Sequence, residues 1–137
     1  MEQIKVFLDT NILLDYFTGR MEDGIAEKIV IAGDASCFQL CISILTGVNV
    51  MYVAKKFNRP VSASLLQRMF KIVPMTASQW EKSLVSEIAD PEDALQMACA
   101  EENDCQVFIT RDRHIRNNPS AYLRILSPEE FIEEITA

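Results

Sequence analysis

Apolar positions in this chain follow two alternating rhythms, one short and continuous, the other spaced by three and four. Ile4-Lys5-Val6-Phe7-Leu8 is a compact apolar run that stops at Asp9-Thr10-Asn11, the pattern of a buried strand with polar residues at its C-terminal tip. Ile12, Leu13, Tyr16 and Phe17 then recur at helical spacing, and Gly19 marks a stop. Glu22 to Ile31 reads as a second helical stretch closed by Gly33. Ser36 to Ser43, rich in Cys, Phe, Leu and Ile, predicts a second strand. Val50, Val53, Ala54 and Phe57 then predict a helix from Thr46 to Phe57, broken by Asn58-Arg59-Pro60.

The same alternation continues. Ser62 is a cap for a helix over Ala63 to Phe70, and Lys71 to Met75 predicts a third strand. Thr76-Ala77-Ser78-Gln79 has the form of a capping box opening a helix to about Ala89. Asp90-Pro91-Glu92-Asp93 is another start signal, with Asp at the cap and Pro at the first helical position, for a helix to about Asn103. Gln106 to Ile109 is a fourth strand ending in Thr110-Arg111-Asp112. Tyr122 to Leu126 is a fifth, and Ser127-Pro128-Glu129-Glu130 caps a last helix over Phe131 to Ile135. Strands and helices alternating at this length need crossover connections, hence a parallel sheet with helices on both faces. In such sheets the crevice lies beyond the carboxyl ends of the strands. No repeat or linker divides the chain, so residues 1–137 are expected to form a single domain.

Composition narrows the function. With 49% hydrophobic residues the chain has material for an ordinary core, and no apolar run approaches the roughly 20 residues of a membrane helix. There is no charged and then apolar leader, so a cytoplasmic location, with no membrane association, is expected. Cys37, Cys41, Cys99 and Cys105 form no CxxC pair and there is one histidine, which argues for buried free thiols over a zinc cage. A net charge of −7 argues against coating of nucleic acid by bulk electrostatics, which calls for a basic domain.

Acids at strand ends offer another electrostatic logic. Asp9 and Asp112 each follow a strand at the same sheet edge, so two carboxylates some hundred residues apart in sequence meet in space. Crowded carboxylates must protonate, find donors or bind a cation, and hard oxygen ligands favour Mg²⁺ or Mn²⁺. Asp93, in the first turn of a helix that begins at this edge, can add a third ligand. Taken singly each has a plainer role: Asp90 as a cap, Asp93 in favour of the helix dipole, Asp9 and Asp112 as caps of following turns. Their joint placement is what argues for chemistry.

Three segments carry a family resemblance. Phe7-Leu8-Asp9-Thr10-Asn11-Ile12-Leu13-Leu14-Asp15, Asp90-Pro91-Glu92-Asp93-Ala94-Leu95-Gln96 and Phe108-Ile109-Thr110-Arg111-Asp112 resemble, in order and in context, the acidic signatures of the PIN domain. The resemblance spans essentially the whole chain and implies a Rossmann-like three-layer α/β/α sandwich with a central parallel sheet. It also implies a ribonuclease similar to the VapC-type toxins, using Mg²⁺ or Mn²⁺ held by Asp9, Asp93 and Asp112, with Asn11 and Thr110 as polar supports. The partners it implies are RNA, a small antitoxin protein and a second copy of the chain in a homodimer.

The chain departs from the family at one place. The family's glutamate on the helix after the second strand is replaced by Asn49, which offers a neutral carbonyl oxygen and no charge. A second reading follows, of a PIN fold that binds RNA or protein without cutting. Around the acids, Asp15 shares a helix face with Asn11 and reads as a solvated residue or an outer neighbour of the site. Arg111, Arg113 and Arg116 form a basic run beside Asp112, suited to a phosphate backbone or simply to solvent. Lys55, Lys56 and Arg59 need no explanation beyond a helix end, and His114 is not required as a base where a metal activates water. A haloacid-dehalogenase-like phosphatase wants a second Asp where Asn11 stands, and no glycine-rich turn follows a strand as a dinucleotide or P-loop site requires.

Overall fold

The computed structural model describes residues 3–21, 23–35, 38–118, 120 and 122–136. The elements in order are β1 (Ile4–Leu8), α1 (Thr10–Thr18), α2 (Ile25–Asp34), β2 (Phe38–Ser43), α3 (Ile44–Lys56), α4 (Ala63–Met69), β3 (Lys71–Val73), α5 (Ala77–Leu84), α6 (Pro91–Glu102), β4 (Val107–Ile109), α7 (Arg113–Arg116), β5 (Arg124–Leu126) and α8 (Pro128–Thr136). The five strands form one sheet in the order β3-β2-β1-β4-β5, with every pair parallel.

The two-residue period of the strands sends their side chains into two cores. Val6 and Leu8, Leu40 and Ile42, Val107 and Ile109 face one layer, where they pack with Ile12, Leu13, Ile29, Val50, Leu66 and Phe131. Phe7, Cys41 and Phe108 face the other layer, against Met97, Cys99, Ala100 and Ile115. The sheet is therefore sandwiched between α1, α2, α3, α4 and α8 on one side and α6 and α7 on the other, the three-layer α/β/α arrangement expected. Phe7 and Phe108 stack at 5.2 Å between ring centroids across the β1–β4 pair. Cys41, Cys99 and Cys105 are buried free thiols; Cys37 lies outside the described residues.

Several boundaries differ from the sequence reading, each for a local reason. The second helix begins at Ile25, after Gly24, and the expected start at Glu22 lies outside the described residues. It runs past Gly33, which does not close it. A Cβ at Gly33 would sit 2.6 Å from Leu40 Cδ1, so this glycine lets the helix approach β2. Ser36 and Cys37, expected in the second strand, also lie outside the described residues. The helix expected from Thr46 starts at Ile44, because the strand's last residue, Ser43, is also its cap and accepts from Thr46 N–H. β3 stops at Val73 because Pro74 has no N–H for the ladder. α5 has the predicted capping box but ends at Leu84, not near Ala89. A turn in which Ile88 N–H bonds Ser86 Oγ lets Ile88 pack on the second core. β5 begins at Arg124, since the N–H groups of Tyr122 and Leu123 bond Ser120 Oγ.

Strand order reverses between β1 and β4, the switch point at which a crevice opens beyond the strand ends. Asp9 N–H still bonds Ile109 C=O at 3.0 Å, so Asp9 and Thr110 emerge side by side.

Candidate functional site

Asp9 leaves β1 in extended conformation and caps α1, its Oδ1 accepting from Thr10 N–H at 2.8 Å. Thr110, fully buried at the end of β4, donates its hydroxyl to Asp9 Oδ2 at 2.8 Å. The same Thr110 oxygen accepts from Asp112 N–H at 3.0 Å, so one hydroxyl holds both acidic segments. Asp112 in turn caps α7 through His114 N–H. Across the crevice Asp90 caps α6, its Oδ1 accepting from the N–H groups of Glu92 and Asp93.

These residues line one open pocket of about 380 Å³, made by Asp9, Thr10, Asn11, Leu14, Asn49, Val53, Asp90, Glu92, Asp93 and Asp112. Among the described residues five carboxylates and no basic side chain face it. Burial and the neighbouring acids act on the protonation of two of them, Asp93 and Asp9. Burial pushes the Asp93 carboxyl from its ordinary 3.8 up to about 7, with Asp90, Asp9, Asp112 and Glu92 adding to the rise. Burial also raises Asp9, against the hydrogen bonds from Thr110 and Thr10, and Asp112 and Glu92 push in the same direction as burial.

A hard divalent cation suits this set of donors, which is all oxygen and short of positive charge. Among the described residues no three His, Cys, Asp or Glu side chains stand ready as a metal cage. The fit thus lies in donor chemistry, and binding has to draw the carboxylates together.

Beneath the pocket lies a buried polar junction. Thr10 and Thr46 hydroxyls are 2.8 Å apart, and Gln96 Nε2 donates to Thr46 Oγ1 at 2.9 Å and to Thr10 Oγ1 at 3.5 Å. Thr10 adjoins Asp9, Thr46 lies one turn before Asn49 on α3, and Gln96 lies one turn after Asp93 on α6.

Other expected site residues are placed differently. Asn11 lines the pocket, but its side-chain oxygen accepts from Arg20 at 2.8 Å and supports no carboxylate. Asp15 is not solvated: it is 2% exposed, with Arg20 Nε at 2.6 Å on one oxygen and Arg111 Nε at 2.9 Å on the other. Arg111 also pairs with Asp23 and Glu129, so it is turned into a carboxylate nest and away from the pocket. Burial would lower its pKa, yet Asp15, Glu129 and Asp23 together hold it above the ordinary value. Arg116 faces Glu130 at 3.8 Å. Arg113 is exposed and has no ion pair among the described residues.

Glu92 is the pocket residue that the sequence reading left as part of a start signal. Asn49 Nδ2 donates to Glu92 Oε1 at 3.2 Å, across 43 residues of sequence. Its adjacency to Asp93 was visible, but its contact with α3 depends on how two helices dock.

A model of the PIN domain family matches residues 5–114, from β1 through the acid that follows β4. The chain belongs to the PIN domain family. As a PIN domain it is similar to Ribonuclease VapC1 of Aquifex aeolicus (strain VF5), 26% identical over an alignment 145 positions long that covers 97% of this chain and 96% of that protein. Among solved structures it is similar to a toxin–antitoxin complex from Klebsiella pneumoniae, at 28% identity over 90% of this chain and 97% of that one, with a TM-score of 0.67. Its fold also matches VapBC2 from Rickettsia felis bound to a DNA fragment from their promoter, at 14% identity over 89% of this chain and 98% of that one, TM-score 0.61. Among the described residues of this PIN domain no helix is long and apolar enough to cross a membrane.

Proposed function

We propose that this PIN domain is a metal-dependent endoribonuclease, the toxin of a toxin–antitoxin pair, with Mg²⁺ or Mn²⁺ held by Asp9, Asp93 and Asp112. The observation that carries the reading is the convergence of these acids, from β1, α6 and the end of β4, on one pocket lined by no cationic side chain among the described residues. A cation bound there supplies Lewis acidity to the phosphodiester and to an attacking water. The protein's part is to fix the donors. Thr110 and Thr10 each occupy one lone pair of Asp9, which keeps others to offer a cation. Asp93 gives up its proton as it takes a metal, so binding strengthens toward neutral pH. Arg113, exposed beside Asp112 and in no ion pair among the described residues, is placed to meet a phosphate, and the pairing of Arg111 and Arg116 leaves them little part in it.

The similarity to Ribonuclease VapC1 and to a toxin–antitoxin complex supports the substrate and the partner, a small antitoxin protein. A homodimer is the assembly we propose, through the apolar stripe that α3 leaves in solvent: Ile44, Val48, Met51 and Tyr52. We place the protein in the cytoplasm.

Cleavage of single-stranded RNA with Mn²⁺ titration tests the reading. Asp9→Asn, Asp93→Asn and Asp112→Asn are each expected to slow cleavage by about 100-fold or more, from the several kcal/mol that a bound metal supplies. Cleavage that persists in excess chelator would refute it. The second reading, binding without cutting, draws on Asn49 in place of an acid and on the lack of a ready-made cage among the described residues. RNA captured tightly but left intact with Mn²⁺ present would favour it.

A further inference from the structure

The contact between Asn49 and Glu92 joins α3 to the first turn of α6 at the rim of the acidic pocket. An ionised carboxylate only accepts hydrogen bonds, so the Asn49 amide must present its N–H₂ to Glu92, and its orientation is fixed by chemistry. Glu92 Oε2 and Asn49 Oδ1 are then left as oxygen acceptors. The backbone of Glu92 is held as well, since its N–H bonds the Asp90 cap at 2.9 Å.

Left alone, Glu92 has every reason to swing away. It is exposed, it keeps rotamer freedom there, and it shares the pocket with four other carboxylates. A neutral amide at position 49 gives it one partner at the pocket and adds no repulsion. A second acid at 49 would drive it out.

We infer that Glu92, steered by Asn49, is the fourth carboxylate of this site, so that α6 supplies the charged oxygen ligand and α3 supplies the amide that aims it. The inference rests on the metal-site reading of Asp9, Asp93 and Asp112. Asn49 is a positioning residue in this arrangement, and its substitution for an acid is matched by the acid beside it.

Mn²⁺ binding to the purified protein, followed by calorimetry and by the electron paramagnetic resonance signal of free Mn²⁺, tests it without recourse to catalysis. Glu92→Gln should weaken Mn²⁺ binding about 10- to 100-fold, the usual range for ligand-shell changes, with a metal-free melting temperature no lower than that of the natural protein. Asn49→Ala should weaken binding by a smaller factor in the same direction. Asn49→Glu alone should bring no gain, whereas Asn49→Glu combined with Glu92→Gln should recover most of the lost affinity, a coupling that a double-mutant cycle measures. If Glu92→Gln binds Mn²⁺ like the natural protein while Asp93→Asn loses it, the role of Glu92 is overturned and the site stands. If Asn49→Glu alone tightens binding, Asn49 is a plain defect and the inference is again overturned. If the natural protein takes up no Mn²⁺, or binds it no better than Asp93→Asn, the metal-site reading itself fails and takes this inference with it.

Discussion

Asp93 carries the clearest consequence at the scale of single residues. Its carboxyl titrates near 7 in the fold against an ordinary 3.8, so the native chain keeps a proton that the unfolded chain has already released in between. Stability must fall as pH rises through that window and level off above it. The melting temperature of the metal-free protein, measured against Asp93→Asn, is expected to drop between about pH 4 and pH 7, with a constant difference outside those limits. A difference that stays flat across the window would mean that the Asp93 carboxyl is not strained by burial and its neighbours. Asp9, Asp93 and Asp112 could be read from the sequence because each sits beside a secondary-structure boundary, and boundaries announce themselves in apolar rhythm. Glu92 and Asp15 could not be read in this way. Their roles depend on partners 43 and 96 residues away, Asn49 and Arg111, reached through tertiary packing.

Elements were legible where caps and periodicity agreed. The Asp90-Pro91 start of α6 and the Thr76–Gln79 capping box are present as expected, because such signals depend on neighbours three residues away. The ends were harder, since α5 stops where Ile88 finds the core and α2 continues through a glycine. Glycines therefore divide by environment. At Gly33 an added methyl meets Leu40 at 2.6 Å, whereas at Gly47 in α3 the nearest atom, Leu66 Cδ1, lies at 4.0 Å. Gly47→Ala is expected to stabilise the protein by about 0.4–1 kcal/mol, by restricting the unfolded chain and filling no forbidden space. Gly33→Ala should destabilise it. Urea denaturation of the two variants reads both signs.

For the whole molecule, the buried Asp15 serves as a cross-tie. Through Arg111 it joins α1 to the segment after β4, and Arg111 goes on to Glu129 of α8 and to Asp23 before α2. Asp15→Asn removes the charge that two arginines share and should cost about 1–3 kcal/mol, as expected when a buried polar group loses its partner. Arg20→Ala, at the more exposed end of the same cluster, should cost less. Equal losses in chemical denaturation would show that the cluster is screened throughout. Fold class was legible at this scale because alternating strands and helices leave few topologies, but the diversion of Arg111 from the crevice to this nest was not.

Thr10, Thr46 and Gln96 meet at the floor of the pocket in a knot of two hydroxyls and one amide, with Gln96 Oε1 left without a partner among the described residues. Each belongs to a separate stretch of chain that also presents an acid or amide overhead, so the three stretches cannot drift apart one at a time. The spacing of the groups above is thus governed as a single quantity, and a change in the shape of this knot at Thr46 or Gln96 would retune the entire mouth at once without touching any residue that lines it.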